Sequence, residues 1–241
     1  LLEALYKLQE ESHGVIGTAG MQYAEKGRIQ KSAVWEKEDR QTWEGCYLDN
    51  HKARNPYFFH HTKVKLNAIG GKMILREGVK AIRFNENLTH GEDTWFLYQL
   101  ISNGADVTVL FRNWYFYRKN RRREGDYSVE SCRSRYECQK AICDYETKKG
   151  RITEAVHTEW CLLCNLVLWQ EMGKRNSDRE LKEYVKNLIE TEKRQALFPK
   201  VDWCRRIVFY LGCIYYPVYK LIADLMHWYH TVLEVPKEFR K

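Results

Sequence analysis

The hydrophobic pattern of this chain changes period near residue 128, and that change limits the fold more than any other feature. Before it, apolar runs with strand character alternate with helical spacing; after it, only helical spacing remains. Leu1, Leu2, Leu5 and Leu8 recur as on one face of a helix, which Glu10-Glu11-Ser12-His13-Gly14 closes. Val15 to Tyr23 is small and apolar, as in a buried strand, and Glu25-Lys26-Gly27-Arg28 reads as a turn. Asp106 to Phe111 alternates as a strand, and Trp114-Tyr115-Phe116-Tyr117 reads as a second one, separated from it by Arg112-Asn113. From Ser131 the spacing predicts helices over 136–148, 153–172 and 178–192, then a long apolar stretch over 206–233. The expected organisation is a mixed α/β region over 1–128 followed by a helical region over 129–241.

With 241 residues, 44% of them hydrophobic, the chain can bury a substantial core, which excludes disorder throughout. Lys and Arg number 40 against 32 Asp and Glu, a formal charge of +8. Such a balance favours anionic partners: nucleotide diphosphates, acidic lipid headgroups or nucleic acid. The eight cysteines are dispersed through helical or apolar contexts, the usage of reduced thiols. Cys161-Leu162-Leu163-Cys164 has C-x-x-C spacing but lies in an apolar helical run with no second pair, so it reads as core rather than as a metal or redox site. The chain opens on Leu1 without an initiator methionine, as the middle of a longer polypeptide would.

Glu92 and Asp93 follow Gly91 at the head of an apolar helical pattern carried by Trp95, Phe96, Leu97, Leu100 and Ile101. Carboxylates in a first helical turn meet unpaired N–H groups and the positive end of the helix dipole, so a capping role accounts for the pair. A carboxylate fixed there and facing a cleft is also well placed to act as a general base. His60-His61 has no carboxylate at ligand spacing and is left out of the site.

The wider context of that pair is specific. Gly70-Gly71-Lys72-Met73-Ile74-Leu75-Arg76-Glu77, then Ile82-Arg83-Phe84-Asn85-Glu86-Asn87-Leu88 leading to Gly91-Glu92-Asp93, then Trp114-Tyr115-Phe116-Tyr117-Arg118 occur in this order. Three ordered motifs of this kind resemble family 2 glycosyltransferases of the GT-A type. The resemblance covers about residues 1–128 and implies the C-terminal, acceptor-side portion of a GT-A mixed sheet, followed by the helical region. It implies inverting transfer of a sugar from a nucleotide-sugar donor to a hydroxyl on a glycan or lipid-linked acceptor. Asp93 would be the base and Glu92 its neighbour, or the reverse. Lys72, Arg118 and Arg121 would bind the donor diphosphate, the two arginines through the forked donors that match phosphate oxygens. For Lys72 a solvated turn residue is the competing reading, and for the basic run 118–123 a solvated loop is.

Family members place an Asp-x-Asp metal site ahead of this portion, and no Asp-x-Asp occurs in this chain. A divalent metal, Mn or Mg, is therefore expected with its main ligands outside these residues, and the 241-residue chain alone is expected to be inactive. The family's commonest work implies a cytoplasmic protein, peripheral at the inner face of the cell membrane. The 13 uncharged residues from Ile207 to Tyr219 fall short of the roughly 20 that span a bilayer. They suit a membrane-interfacial helix within 205–233, a core helix, or one packed on a missing half. The alternative to an enzyme is a non-catalytic basic module binding a membrane surface or nucleic acid; for the enzyme, nucleic acid is not an expected partner.

Overall fold

A computed structural model describes residues 2–12, 14–25, 28–29, 45–48, 53–54, 59, 65–79, 81–118 and 127–234. The fold is mixed α/β and divides into two units, the first formed by residues 1–85, 92–124 and 231–241, the second by 86–91 and 125–230. The short segment 86–91 thus belongs with the helices that follow the sheet, although the chain runs through it on the way to the first unit's helix.

In the first unit, helix α1 (Leu2–Ser12) leads into strand β1 (Ile16–Glu25), which turns back through β2 (Arg28–Ile29). Strands β3 (Gly45–Leu48) and β4 (Lys72–Ile74) follow, then a 3-10 turn (Arg76–Val79), helix α2 (Glu92–Ser102) and the long strand β5 (Val107–Arg118). β1 and β5 run parallel at the centre of a five-stranded sheet, with β3 antiparallel on the outer side of β5 and β2 and β4 antiparallel on the outer side of β1. Parallel neighbours need a crossover, and the connection from β1 to β5 carries β3, β4 and α2.

Expectation and structure part at two places here. Trp114 to Tyr117 is not a separate strand: β5 is continuous, but its pairing with β1 breaks between Leu110, opposite Ala19, and Tyr115, opposite Met21. The interruption read at Arg112-Asn113 is therefore a register irregularity inside one strand, where extra residues bend the ladder without ending it. The other is β3, a four-residue strand in a region to which the sequence reading assigned no element.

α1 is fastened to the sheet by burial and by one side chain. Leu5, Ala19 and Leu110 form a small buried cluster with Met73 beside it. Gln9 is buried and its amide donates to the carbonyls of Gly14 (3.3 Å), Val15 (3.1 Å) and Met73 (3.3 Å), which stitches α1 to the start of β1 and to β4. Of the apolar pattern read for α2, Phe96, Leu97, Leu100 and Ile101 are buried and Trp95 is half-buried, while Tyr98, outside that pattern, is buried with them.

The second unit is built of α3 (Val129–Lys148), α4 (Ile152–Arg175), α5 (Arg179–Glu192), α6 (Trp203–Ile214) and α7 (Tyr216–Glu234), the last four residues of α7 belonging to the first unit. Three starts are fixed by oxygen-bearing caps: Ser128 accepts from the Ser131 N–H, Asp178 from Leu181 and Asp202 from Arg205. The stretch read as one apolar run over 206–233 is two helices, because Tyr215 is extended (φ −140°, ψ 91°) between α6 and α7. Leu163, Leu166, Trp169, Val185, Phe198 and Phe209 belong to one contiguous core with α4 at its centre.

Inside the helices lies a group of charged side chains with almost no solvent. Glu159 and Glu192 are fully buried, and the ammonium of Lys140 lies 3.5 Å from Glu159 and 3.2 Å from Glu192. The Tyr136 hydroxyl donates to Glu192, and the Cys143 thiol points at Glu159 from 3.8 Å. Burial, then the neighbouring Glu192, push the Glu159 carboxyl up to about 8, against the pull of Lys140. Burial opposes the charge on Lys140, yet the two carboxylates outweigh it and hold the ammonium above its ordinary value.

Cys132, Cys138, Cys143, Cys161, Cys164, Cys204 and Cys213 are free. Burial raises Cys161 to about 11 and Cys164 to about 12, so both are neutral thiols in the helix core and not the low-pKa pair of a redox site. Among the described residues no helix is long and apolar enough to cross a membrane.

Candidate functional site

The turn before β4 is held by four side-chain bonds within the first unit, two from β4 itself and two from the first turn of α2. Lys72 donates from its ammonium to the carbonyls of Lys65 (2.9 Å) and Ala68. Asp93 accepts the Ile69 N–H through Oδ2 at 3.2 Å, and the Thr94 hydroxyl donates to the Asn67 carbonyl at 3.1 Å. A β4 lysine and two first-turn residues of α2 thereby satisfy successive backbone groups of the loop 65–69, which has no ladder of its own.

Gly70 and Gly71 let this loop lie directly on β5. A Cβ at either position would come within 2.7 Å of Tyr115, and Gly71 has φ +72°, the left-handed region that side chains disfavour. The Gly-Gly-Lys run, the Glu-Asp pair and the aromatic strand, separated by some twenty residues each in sequence, are in this way assembled around one loop.

The two carboxylates differ. Asp93 has one oxygen held by Ile69 and its side chain is half-buried, so its direction is fixed. Glu92 is half-buried with no hydrogen bond or ion pair to any described residue. Of the pair left open by sequence, Asp93 is the positioned one. The arrangement can accept a proton at the second oxygen of Asp93 while the first keeps its bond to the loop.

Lys72 is directed at the loop. Its ammonium is turned onto the carbonyls of the loop, so its observed contacts are structural rather than phosphate-facing. Burial lowers it to about 7, with Asp93 pulling the other way. In the unfolded chain the same amine titrates near 10.5, so between those values the unfolded state holds a proton that the folded state lacks. The first unit therefore gains stability as pH rises from about 7 towards 10.5, and Lys72→Met removes that rise. Amide hydrogen exchange across α2, followed from pH 7 to 10 in both proteins, measures it.

Arg118 ends β5 opposite Ala24, and its side chain lies outside the described residues, as does Arg121. Among the described residues no group of three or more His, Cys, Asp and Glu side chains is arranged to hold a metal.

Sequence reasoning passed over Phe84 as a site residue. Its ring stacks flat on Phe96, with centroids 4.2 Å apart and planes 6° apart, while it stays 46% exposed. Phe96 lies one turn from Asp93 on α2, and the exposed aromatic two residues after Ile82 is the signal that marks it.

The preceding segment 86–91 is held by its own unit. His90 and Ser134 exchange hydrogen bonds, the His90 N–H donating to Ser134 Oγ at 2.9 Å and that hydroxyl donating back to the His90 carbonyl at 2.8 Å. Cys138 Sγ donates to the Gly91 carbonyl at 3.2 Å. Gly91 has φ +91°, and an added Cβ would stand 3.0 Å from both Cys138 Cβ and Sγ. Gly91→Ala combines an unfavourable backbone with that contact and is expected to cost about 1–3 kcal/mol, read as a lower denaturation midpoint.

No protein-family model matches this chain, and no curated protein matches it.

Proposed function

We propose that this chain is the acceptor-side part of an inverting GT-A glycosyltransferase, with Asp93 as the base that takes the acceptor's hydroxyl proton. The observation that carries the reading is the loop 65–71, held between Lys72, Asp93 and Tyr115, because it brings the three motifs of the resemblance to one place with a half-held carboxylate beside them. The central parallel pair β1 and β5 within a mixed sheet is compatible with the same class of fold.

The chemistry asks for few groups. The acceptor oxygen attacks the anomeric carbon opposite the leaving nucleoside diphosphate and loses its proton as it does so. A carboxylate within hydrogen-bond reach receives that proton, and Asp93 is directed by its bond to Ile69. The exposed face of Phe84 offers an apolar surface on which the C–H face of an acceptor sugar can lie. Mn or Mg, when bound, would offset charge on the leaving diphosphate. The described residues do not form a site for it. Lys72 belongs in this account as the residue that shapes the loop, while Arg118 remains the candidate for diphosphate contact.

The test is an assay of the gene product as the cell makes it, with whatever flanks this chain. It is incubated with a panel of uridine and guanosine diphosphate sugars, Mn or Mg, and oligosaccharide or lipid-linked acceptors. Donor consumption coupled to glycan formation is expected; no consumption of any nucleotide sugar with any acceptor contradicts the reading.

A further inference from the structure

α6 and α7 carry apolar side chains on the faces turned away from their own core. On α6, Val208, Phe209 and Gly212 are buried, while Trp203, Ile207, Tyr210 and Ile214 on the other side are exposed, Trp203 at 66% and Ile214 at 79%. On α7, Tyr219 points inward, while Val218, Leu221, Leu225 and Trp228 follow one another at three- and four-residue spacing on an exposed face, Leu221 at 63% and Trp228 at 64%. A helix apolar all round is ordinarily a buried helix, and large exposed apolar patches mark contact surfaces.

The charges around this face narrow what covers it. The acidic groups beside it are already paired: Asp202 with Arg205 at 3.1 Å, Asp224 with Lys220 at 2.5 Å, Glu171 with Arg175 at 2.9 Å and Glu190 with Lys193 at 2.7 Å. Two of those cations also lie over bordering tyrosines, Arg175 at 5.7 Å from the Tyr216 ring and Lys193 at 5.4 Å from the Tyr210 ring. Arg206 is the exception. It adjoins Ile207 and lies one turn from Trp203 and Tyr210, no described carboxylate pairs with it, and its Nε is buried without a hydrogen-bond partner. An apolar face bordered by tryptophan and tyrosine, rimmed by cations, with one arginine lacking an anion, complements a surface that is apolar beneath and anionic on top.

We infer that the outer face of α6 and α7 lies on an anionic lipid surface. Trp203, Ile207, Ile214, Leu221, Leu225 and Trp228 enter the boundary between headgroups and acyl chains, and Arg206 bonds a headgroup phosphate. Indole and phenol rings favour that boundary because one edge is apolar and the other polar. The guanidinium fork matches phosphate oxygens. The contact lies in the plane of the surface, since no described helix is long and apolar enough to cross it. It rests on the second unit alone and is independent of any transfer reaction.

The test is flotation of the whole protein with vesicles of phosphatidylcholine containing about one third phosphatidylglycerol, alongside vesicles of phosphatidylcholine only, with tryptophan emission recorded. Binding to the anionic vesicles with a blue-shifted emission is expected. Ile214→Asp combined with Leu221→Asp, at positions exposed enough to leave the fold and its circular dichroism unchanged, is expected to lower partitioning at least tenfold. Arg206→Gln is expected to reduce binding to anionic vesicles and to leave the weak binding to neutral ones as it was. No flotation at low salt overturns the inference. So does full binding by the double variant, which would assign attachment to the basic run 118–123. A concentration-dependent dimer in light scattering that the double variant abolishes would give the face to a second copy and overturn it as well.

Discussion

Asp93→Asn is expected to lower the rate of sugar transfer by about 10²- to 10⁴-fold, the range for loss of a positioned general base, while leaving the fold intact. The asymmetry follows from the hydrogen bond. An asparagine side-chain carbonyl still accepts the Ile69 N–H that Asp93 Oδ2 accepts at 3.2 Å, so the loop keeps its anchor while the proton acceptor is lost. Asp93→Ala removes both and should also lower the denaturation midpoint, by about 0.5–2 kcal/mol for one backbone N–H left without its acceptor. Glu92→Gln should cost less than tenfold, because Glu92 is held by no described residue and is not directed. Initial rates at saturating and limiting acceptor separate these cases: loss of the base appears in kcat, loss of acceptor positioning in KM. Should Glu92→Gln abolish transfer while Asp93→Asn leaves it near wild type, the two carboxylates exchange roles.

The largest expected effect on stability lies away from the sheet. Lys140→Met leaves Glu159 and Glu192 facing one another in the helical core without their cation. Removing one partner from a buried charged group costs about 3–5 kcal/mol. Its pH dependence is specific. The Glu159 carboxyl is raised in the folded state, so the folded state holds a proton that the unfolded state has released. The stability this contributes is fully present below the ordinary glutamate value of 4.5 and is lost as pH rises towards about 8. The helical unit should therefore weaken between pH 5 and 8. Lys140→Met should steepen that decline and show its smallest penalty near pH 5, where protonation removes the charges it leaves unpaired. Glu159→Gln should flatten it. Hydrogen exchange of α4 amides reports this unit separately, and the first unit, through Lys72, changes in the opposite sense above pH 7. A Lys140→Met protein within 1 kcal/mol of wild type at pH 8 would mean that the three groups are not coupled as their distances imply.

How much of this was legible in the chain depended on whether each signal is local. The helices of the second unit were, because apolar residues recur at helical spacing over 136–148, 153–172 and 178–192, although the reading began the first helix at 136 rather than Val129 and the last stretch at 206 rather than Trp203. The apolar run over 206–233 was legible as helix but not as two, since nothing local marks Tyr215 as a break. β5 was divided in the reading because Arg112-Asn113 interrupts its apolar run, whereas in the sheet the strand continues and only its pairing shifts. Around the loop, the place of Glu92 and Asp93 in a first helical turn was legible, because carboxylates at the head of an apolar helical pattern are a local signal. The orientation of Lys72 was not, because it depends on carbonyls four and seven residues away in a loop of irregular backbone. The cluster of Lys140, Glu159 and Glu192 had no sequence signal at all: three charged residues on three helices look like solvated faces until the helices pack.

The most direct measurement is the anomeric configuration of the product. The gene product is given a nucleotide sugar of known α configuration and an acceptor, and the linkage formed is read by proton NMR during the first turnover. A single in-line displacement assisted by one carboxylate base yields a β linkage, formed by Asp93→Asn at least about a hundredfold more slowly. Retention of the α configuration, or a linkage formed equally well by Asp93→Asn, would contradict the account.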